Sequence, residues 1–248
     1  LRYVHLFYQA PYFSRFLSPC FVSHYSHTLD PHLSLHDALP ISLGALRILI
    51  ECKLDLDLKV LLSHAADCLA EKVDGKQAID EVIGFMIDRL KVYYTSQKIT
   101  VDVYDAVQVL KPTRPIDFDR RIHAVNEFRK MDEAESLAAA NKRIGNILRK
   151  VEGDMPNLVR VDLLIETAEK QLYEQLQNIS AVVTPQLDAG EYAEALKQLA
   201  GLRDPIDAFF DQVMVMADDE ALKHNRIALL NQLHGLFIKA ADLSRLQS

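Results

Sequence analysis

The sequence predicts an all-α protein: a helical bundle, preceded by a helical tail and linker, with an irregular stretch at the start. Three observations predict it. Apolar residues recur at helical spacing in one segment after another from Leu43 onward. Helix breakers are scarce, with 8 Gly and 9 Pro in 248 residues. No segment sustains strand alternation between hairpin turns; Asp55 and Asp57 alternate with Leu54, Leu56 and Leu58 only as a short connector.

Residues 1–41 differ from the rest. They hold no Lys and no Glu, yet five of the nine histidines and eight of the nineteen Tyr and Phe residues. Tyr, His, Gln, Pro and Arg interrupt every window that could serve as a signal peptide. The segment SLHDALPI, Ser34 to Ile41, resembles the translated end of a sequencing adapter. We therefore expect residues 1–41 to be irregular and foreign, joined to a sequence that begins near Ser42. Because the chain opens on Leu1, its natural start is expected to be missing. The His36-Asp37 pair, which on its own suggests a metal-dependent HD phosphohydrolase, lies in that foreign segment and carries no weight.

Residues 42–130 read as the helical tail and linker. Ile79, Val82, Ile83, Met86, Ile87 and Leu90 mark one buried helix face, behind a turn signal at Asp74-Gly75. A helix over 103–110 stops before Pro112. Lys111 to Arg121 is stiffened by two prolines, and Asp117 is placed to cap a helix carrying Ile122, Val125 and Phe128.

Residues 131–248 read as the bundle. The segment AAANKRIGNILRK, Ala138 to Lys150, splits into two faces at about 100° per residue. Lys142, Arg143, Asn146, Arg149 and Lys150 fall on one arc; Leu137, Ile144, Ile147, Leu148 and Val151 fall on the other. After a break at 153–157, a helix over 161–183 ends at Pro185 and Asp188-Ala189-Gly190. Another covers 192–202. Asp204-Pro205 reads as the cap and first residue of the next. Met214 and Met216, among Phe209, Phe210 and Val213, are expected in the core. Asp218-Asp219 reads as a cap for a last helix with Leu222, Leu229, Leu230, Leu233, Leu236 and Phe237 on one side.

A net charge of -7 excludes a general nucleic-acid coat but not a local site, because phosphates answer to nearby cations. Cys20, Cys52 and Cys68 form no CxxC pair and no zinc spacing, as expected of free thiols in a reducing cytoplasm. No apolar run is long enough to span a bilayer. Phosphate-binding glycine loops, nucleophile elbows and HExxH are absent, and His64, His123, His224 and His234 are spread widely. We expect no catalytic residue, no metal and no cofactor in this chain.

Basic residues do cluster. A cationic set on a helix is most often a solvated face, but the set in Ala138–Lys150 lacks the interleaved acids of a salt-bridged surface. RNA recognition needs cations for phosphates and amides for unstacked bases. Asn141, Lys142, Arg143, Asn146, Arg149 and Lys150 are therefore candidates for an RNA-binding surface. Arg114, Arg120, Arg121, Lys223 and Arg226 are secondary ones.

The segments LGALRILI (Leu43 to Ile50), LKPTRPIDFDRRIHAV (Leu110 to Val125), AAANKRIGNILRK and LRDPIDAFFDQVMVMADDEALKHNRIALL (Leu202 to Leu230) carry a resemblance. They are similar to the C-terminal part of bacterial glycyl-tRNA synthetase β subunits, almost continuously from Leu43 to Gln247. The resemblance implies a ligase of two α and two β chains, or a fused chain, that joins glycine to its tRNA. In it the α subunit uses ATP and Mg, and the β subunit recognises tRNA through a helical anticodon-binding module called DALR. Residues 42–130 would be the tail of an HD-like domain and a linker; residues 131–248 would be the module, with Ala138–Lys150 near the anticodon loop. The tetrad that names the module falls near Asn231-Gln232-Leu233-His234, where only the Leu matches. The resemblance further implies a cytoplasmic protein, with glycine tRNA and the α subunit as partners. Without the upstream β body the chain would not support aminoacylation. The alternative is a helical protein-interaction module for subunit assembly.

Overall fold

The computed structural model describes residues 35–68, 79–151 and 156–246, with side chains from Ser42 onward. Ten α-helices and no strand occur among the described residues. They form two compact units. One holds the described residues up to Lys98 together with Lys111–Asp119; the other holds Ile99–Leu110 and everything from Arg120. The expected turn at Asp74-Gly75, most of the break at 153–157 and residues 1–34 lie outside the described residues.

In the first unit, α1 (Leu35–Glu51) and α2 (Leu58–Cys68) both pack on α3 (Ile79–Ser96). Helix α1 begins seven residues before Ser42, so the backbone of 35–41 is helical rather than irregular. The side chains of His36 and Asp37 lie outside the described set. On α3 the expected stripe is buried at Ile79, Ile83, Met86, Ile87 and Leu90, while Val82 stands at its edge. Tyr94 continues the stripe: its ring stacks on Phe118 at 5.8 Å, and its hydroxyl donates to Asp119 at 3.0 Å.

Asp57 caps α2 by accepting from the backbone N–H of Lys59 at 2.8 Å. Its second oxygen accepts from the Thr113 hydroxyl at 2.8 Å. Burial alone would raise the Asp57 pKa. The Thr113 and backbone hydrogen bonds and the Arg114 charge outweigh it and hold the carboxyl below its usual value.

The second unit opens with α4 (Val101–Gln108) and the part of α5 (Pro115–Phe128) from Arg120 on. Helix α5 starts at Pro115, whose fixed φ suits a first helical position, so Asp117 sits inside the first turn and is not the cap. Then come α6 (Ala134–Leu148), a 3-10 turn at Val161–Leu163, α7 (Thr167–Asp188), α8 (Tyr192–Ala200), α9 (Arg203–Gln212) and α10 (Glu220–Ile238).

Helix α7 runs through Pro185. The proline lies one turn from the helix end, and buried Val183 and Leu187 keep that turn against the core. The chain then turns at Gly190, at φ 76°, beside the Arg120 guanidinium. Helix α9 starts at Arg203, one residue earlier than the expected cap, with Pro205 tolerated in its first turn.

Helix α10 is the spine of this unit. Every residue from Asn225 to Leu230 is buried, because α6, α7 and the Val161–Leu163 turn all pack against it. Asp219 caps it, accepting from the N–H groups of Ala221 at 2.8 Å and Leu222 at 3.2 Å. The methionine expectation is corrected. Met214 and Met216 are 74% and 50% exposed, while Val213 and Val215 are buried. The chain leaves α9 in an extended conformation at Val213, so burial alternates every second residue there.

Candidate nucleic-acid interface

Helix α6 positions the site. Its inner side is Leu137, Ala138, Asn141, Ile144 and Leu148, all buried. Burial of that apolar stripe orients the helix and leaves the rows 139–143–147 and 142–146–150 outside. Those rows line one shallow groove of about 420 Å³, formed by Ala139, Lys142, Arg143, Asn146, Ile147 and Lys150.

Four of the six primary candidates therefore meet at one place. Lys142, Arg143 and Lys150 are exposed, and none of them is paired with a carboxylate among the described residues. Arg143 lies over the ring of Phe210, with its guanidinium carbon 4.1 Å from the ring centroid. Arg149 is exposed beside the groove. Its Nε donates to the Gly145 carbonyl at 3.2 Å, and its second nitrogen donates to the side-chain oxygen of Asn146. Arg149 thus serves the C-terminal end of α6, where cations favour the exposed carbonyls.

Asn141 is corrected. It is 1% exposed and donates to the Leu137 carbonyl at 2.9 Å, so it faces the core and not the groove. Its place at the fourth residue after Leu137 and the third before Ile144 puts it on the buried stripe.

The secondary candidates divide. Arg114 is bound to Asp55 at 3.0 Å and lies 3.7 Å from Asp57. Arg121 donates to the carbonyls of Lys239 at 2.5 Å and Ala240 at 2.8 Å and lies over the Tyr192 ring, so it closes the end of α10. Lys223 pairs with Glu220 at 3.0 Å. Arg226 is 6% exposed and pairs with fully buried Glu169. Arg114, Arg121, Lys223 and Arg226 are thus committed within the fold. Arg120 is exposed, with its guanidinium against Gly190.

Phe210 was not among the sequence candidates. Its signal was available: Ile206 and Phe209 fill the buried side of α9, which leaves Phe210 about 100° away at the edge.

No three His, Cys, Asp or Glu residues among the described ones gather as a metal site would require. No described helix is long and apolar enough to cross a membrane. His234 is half-buried; burial pushes its pKa down, and the Asp242 carboxylate offsets only part of that.

Residues 137–243 match the DALR anticodon binding domain family. The chain is also similar to the glycine--tRNA ligase beta subunits of Aeromonas hydrophila subsp. hydrophila (50% identity), Aliivibrio fischeri (48%) and Glaesserella parasuis (48%). Each match covers 206 residues, or 83% of this chain and 30% of the relative. The chain therefore spans about a third of the length of the curated relatives it matches. Over the residues it shares with them, and with a DALR domain across 137–243, this chain belongs to the glycine--tRNA ligase beta subunit family.

Proposed function

We propose that this chain recognises the anticodon arm of glycine tRNA as the RNA-reading part of a glycine--tRNA ligase. The observation that carries the reading is the groove on α6. Lys142, Arg143 and Lys150 surround it without a described carboxylate partner, on a chain whose net charge is -7. A local cationic concavity on an acidic protein attracts phosphate there and little elsewhere. Membership of a family whose domain is named for anticodon binding supports the same reading.

In this proposal the chain supplies no reacting group. It holds the anticodon loop so that the acceptor end of the tRNA is presented to the α subunit, which uses ATP and Mg to activate glycine. The assembly would contain two α and two β chains, or both in one polypeptide, and would work in the cytoplasm. A filter-binding titration of the chain with glycine tRNA at several salt concentrations tests it. We expect saturable binding that falls steeply with salt. No binding at low salt would overturn the proposal.

A second reading, a protein-interaction module for subunit assembly, is favoured by one observation. Leu158, Val161, Ile165, Met214 and Met216 are each at least half exposed. Exposed apolar side chains mark protein contacts where they adjoin in one patch. Tight binding of the α subunit by this chain, without tRNA binding, would favour it.

A further inference from the structure

We infer that Arg143 and Phe210 together form a stacking platform for one unstacked RNA base, and that Asn146 reads that base as a hydrogen-bond donor. The inference rests on the RNA-binding reading above and adds to it a named occupant, one splayed nucleotide.

The geometry comes from two helices. Phe210 of α9 is partly buried and sits edge-on to fully buried Phe209, with ring centroids 5.5 Å apart. Its ring supports the Arg143 guanidinium from α6 at 4.1 Å. Held over an aromatic ring, a guanidinium loses much of its rotational freedom and presents a flat cationic surface. Bases stack on arginine planes as they do on aromatic rings. Arg143 lines the groove, and the apolar side chains of Ala139 and Ile147 extend its floor along the same row. One base can lie there, while Lys142 and Lys150 on the parallel row take the adjoining phosphates.

Asn146 adds a sign to the recognition. It lies between the two lysines on their row. Arginine has only donors, so the atom of Asn146 that Arg149 engages is the carbonyl oxygen. What Asn146 has left for the groove is its amide N–H₂. A donor of this kind suits base edges rich in ring-nitrogen and carbonyl acceptors.

The test uses the full chain and glycine tRNA carrying 2-aminopurine at one anticodon-loop position at a time. We expect one position to report stacking on binding. Arg143→Lys keeps the charge and removes the plane, and Phe210→Leu keeps the apolar contact and removes the ring. Each should abolish that signal and weaken binding roughly tenfold, with the salt dependence unchanged. Arg143 is exposed, so its variant carries the test even if Phe210→Leu unfolds. Lys142→Gln with Lys150→Gln serves as the comparison. If that pair weakens binding while Arg143→Lys matches the parent in affinity and fluorescence, the platform is overturned and RNA binding stands. If the parent chain does not bind tRNA, the RNA reading itself fails.

Discussion

Arg226 on α10 and Glu169 on α7 form an ion pair sealed from water, at 6% and 0% exposure. Each partner does more than neutralise the other. Arg226 donates to the Met214 carbonyl at 2.8 Å, and Glu169 accepts from the N–H groups of Ile165 at 2.8 Å and Glu166 at 2.9 Å. Four segments of the second unit are tied at this point. Removing one partner leaves a buried charge without compensation. Arg226→Ala should therefore cost about 3–5 kcal/mol, seen as a lowered urea midpoint. A loss below about 1 kcal/mol, the scale of an exposed pair, would mean that water reaches the pair.

The lysines of the groove should act through charge alone. Lys142→Gln with Lys150→Gln should weaken tRNA binding and flatten its salt dependence by about 0.7 logarithmic units per lysine. The thermal transition should stay put, since both side chains are exposed. Binding isotherms at four or more salt concentrations measure the slope directly.

Asn141 should separate from its neighbours on α6. Asn141→Ala removes its bond to the Leu137 carbonyl and should cost about 1 kcal/mol of stability. Affinity for tRNA should match the parent chain at every salt concentration. A selective loss of affinity would place Asn141 in the interface and contradict its burial.

His234 should make stability depend on pH. Burial, the larger effect, disfavours its charged form, and Asp242 only partly restores it, so the folded pKa lies below 6.5. Between the two pKa values the unfolded chain binds more protons. The contribution of His234 is complete above the unfolded value and is lost as pH falls through the folded one. Denaturation midpoints for the parent should therefore drop below pH 6.5, and the His234→Gln chain should show a smaller drop.

The cap of α10 offers a calibration. Asp219→Ala removes the acceptor for two backbone N–H groups and should cost about 1 kcal/mol. Asp219→Asn, which keeps an acceptor, should recover most of that in the same melting experiment.

Much of this arrangement was legible in the sequence, and the exceptions share a cause. Residue spacing alone places Lys142, Arg143, Asn146 and Lys150 on the outer side of α6, although Ile147, expected on the opposite face, lines the groove with them. Asn141 is legible too, because its place on the stripe of Leu137, Ile144 and Leu148 decides its burial over the polarity of its amide. Arg226 could not be assigned from its own helix, since its partner Glu169 is 57 residues earlier. The union of Arg143 with Phe210 is likewise a meeting of two helices. Met214 and Met216 escape the core because the helical period ends at Gln212, where the chain becomes extended.

Helix α10 is enclosed on all sides between Asn225 and Leu230, whereas α6 keeps one whole face in solvent. This divides the evolutionary freedom of the domain. Substitutions on the spine disturb several neighbours at once. Lys142 and Lys150 on the outer rows of α6 stand in solvent with no described carboxylate partner, and either can be exchanged without repacking another residue, whereas Arg143 and Asn146 also touch Phe210 and Arg149. A lineage can vary those exposed positions while inheriting the architecture unchanged.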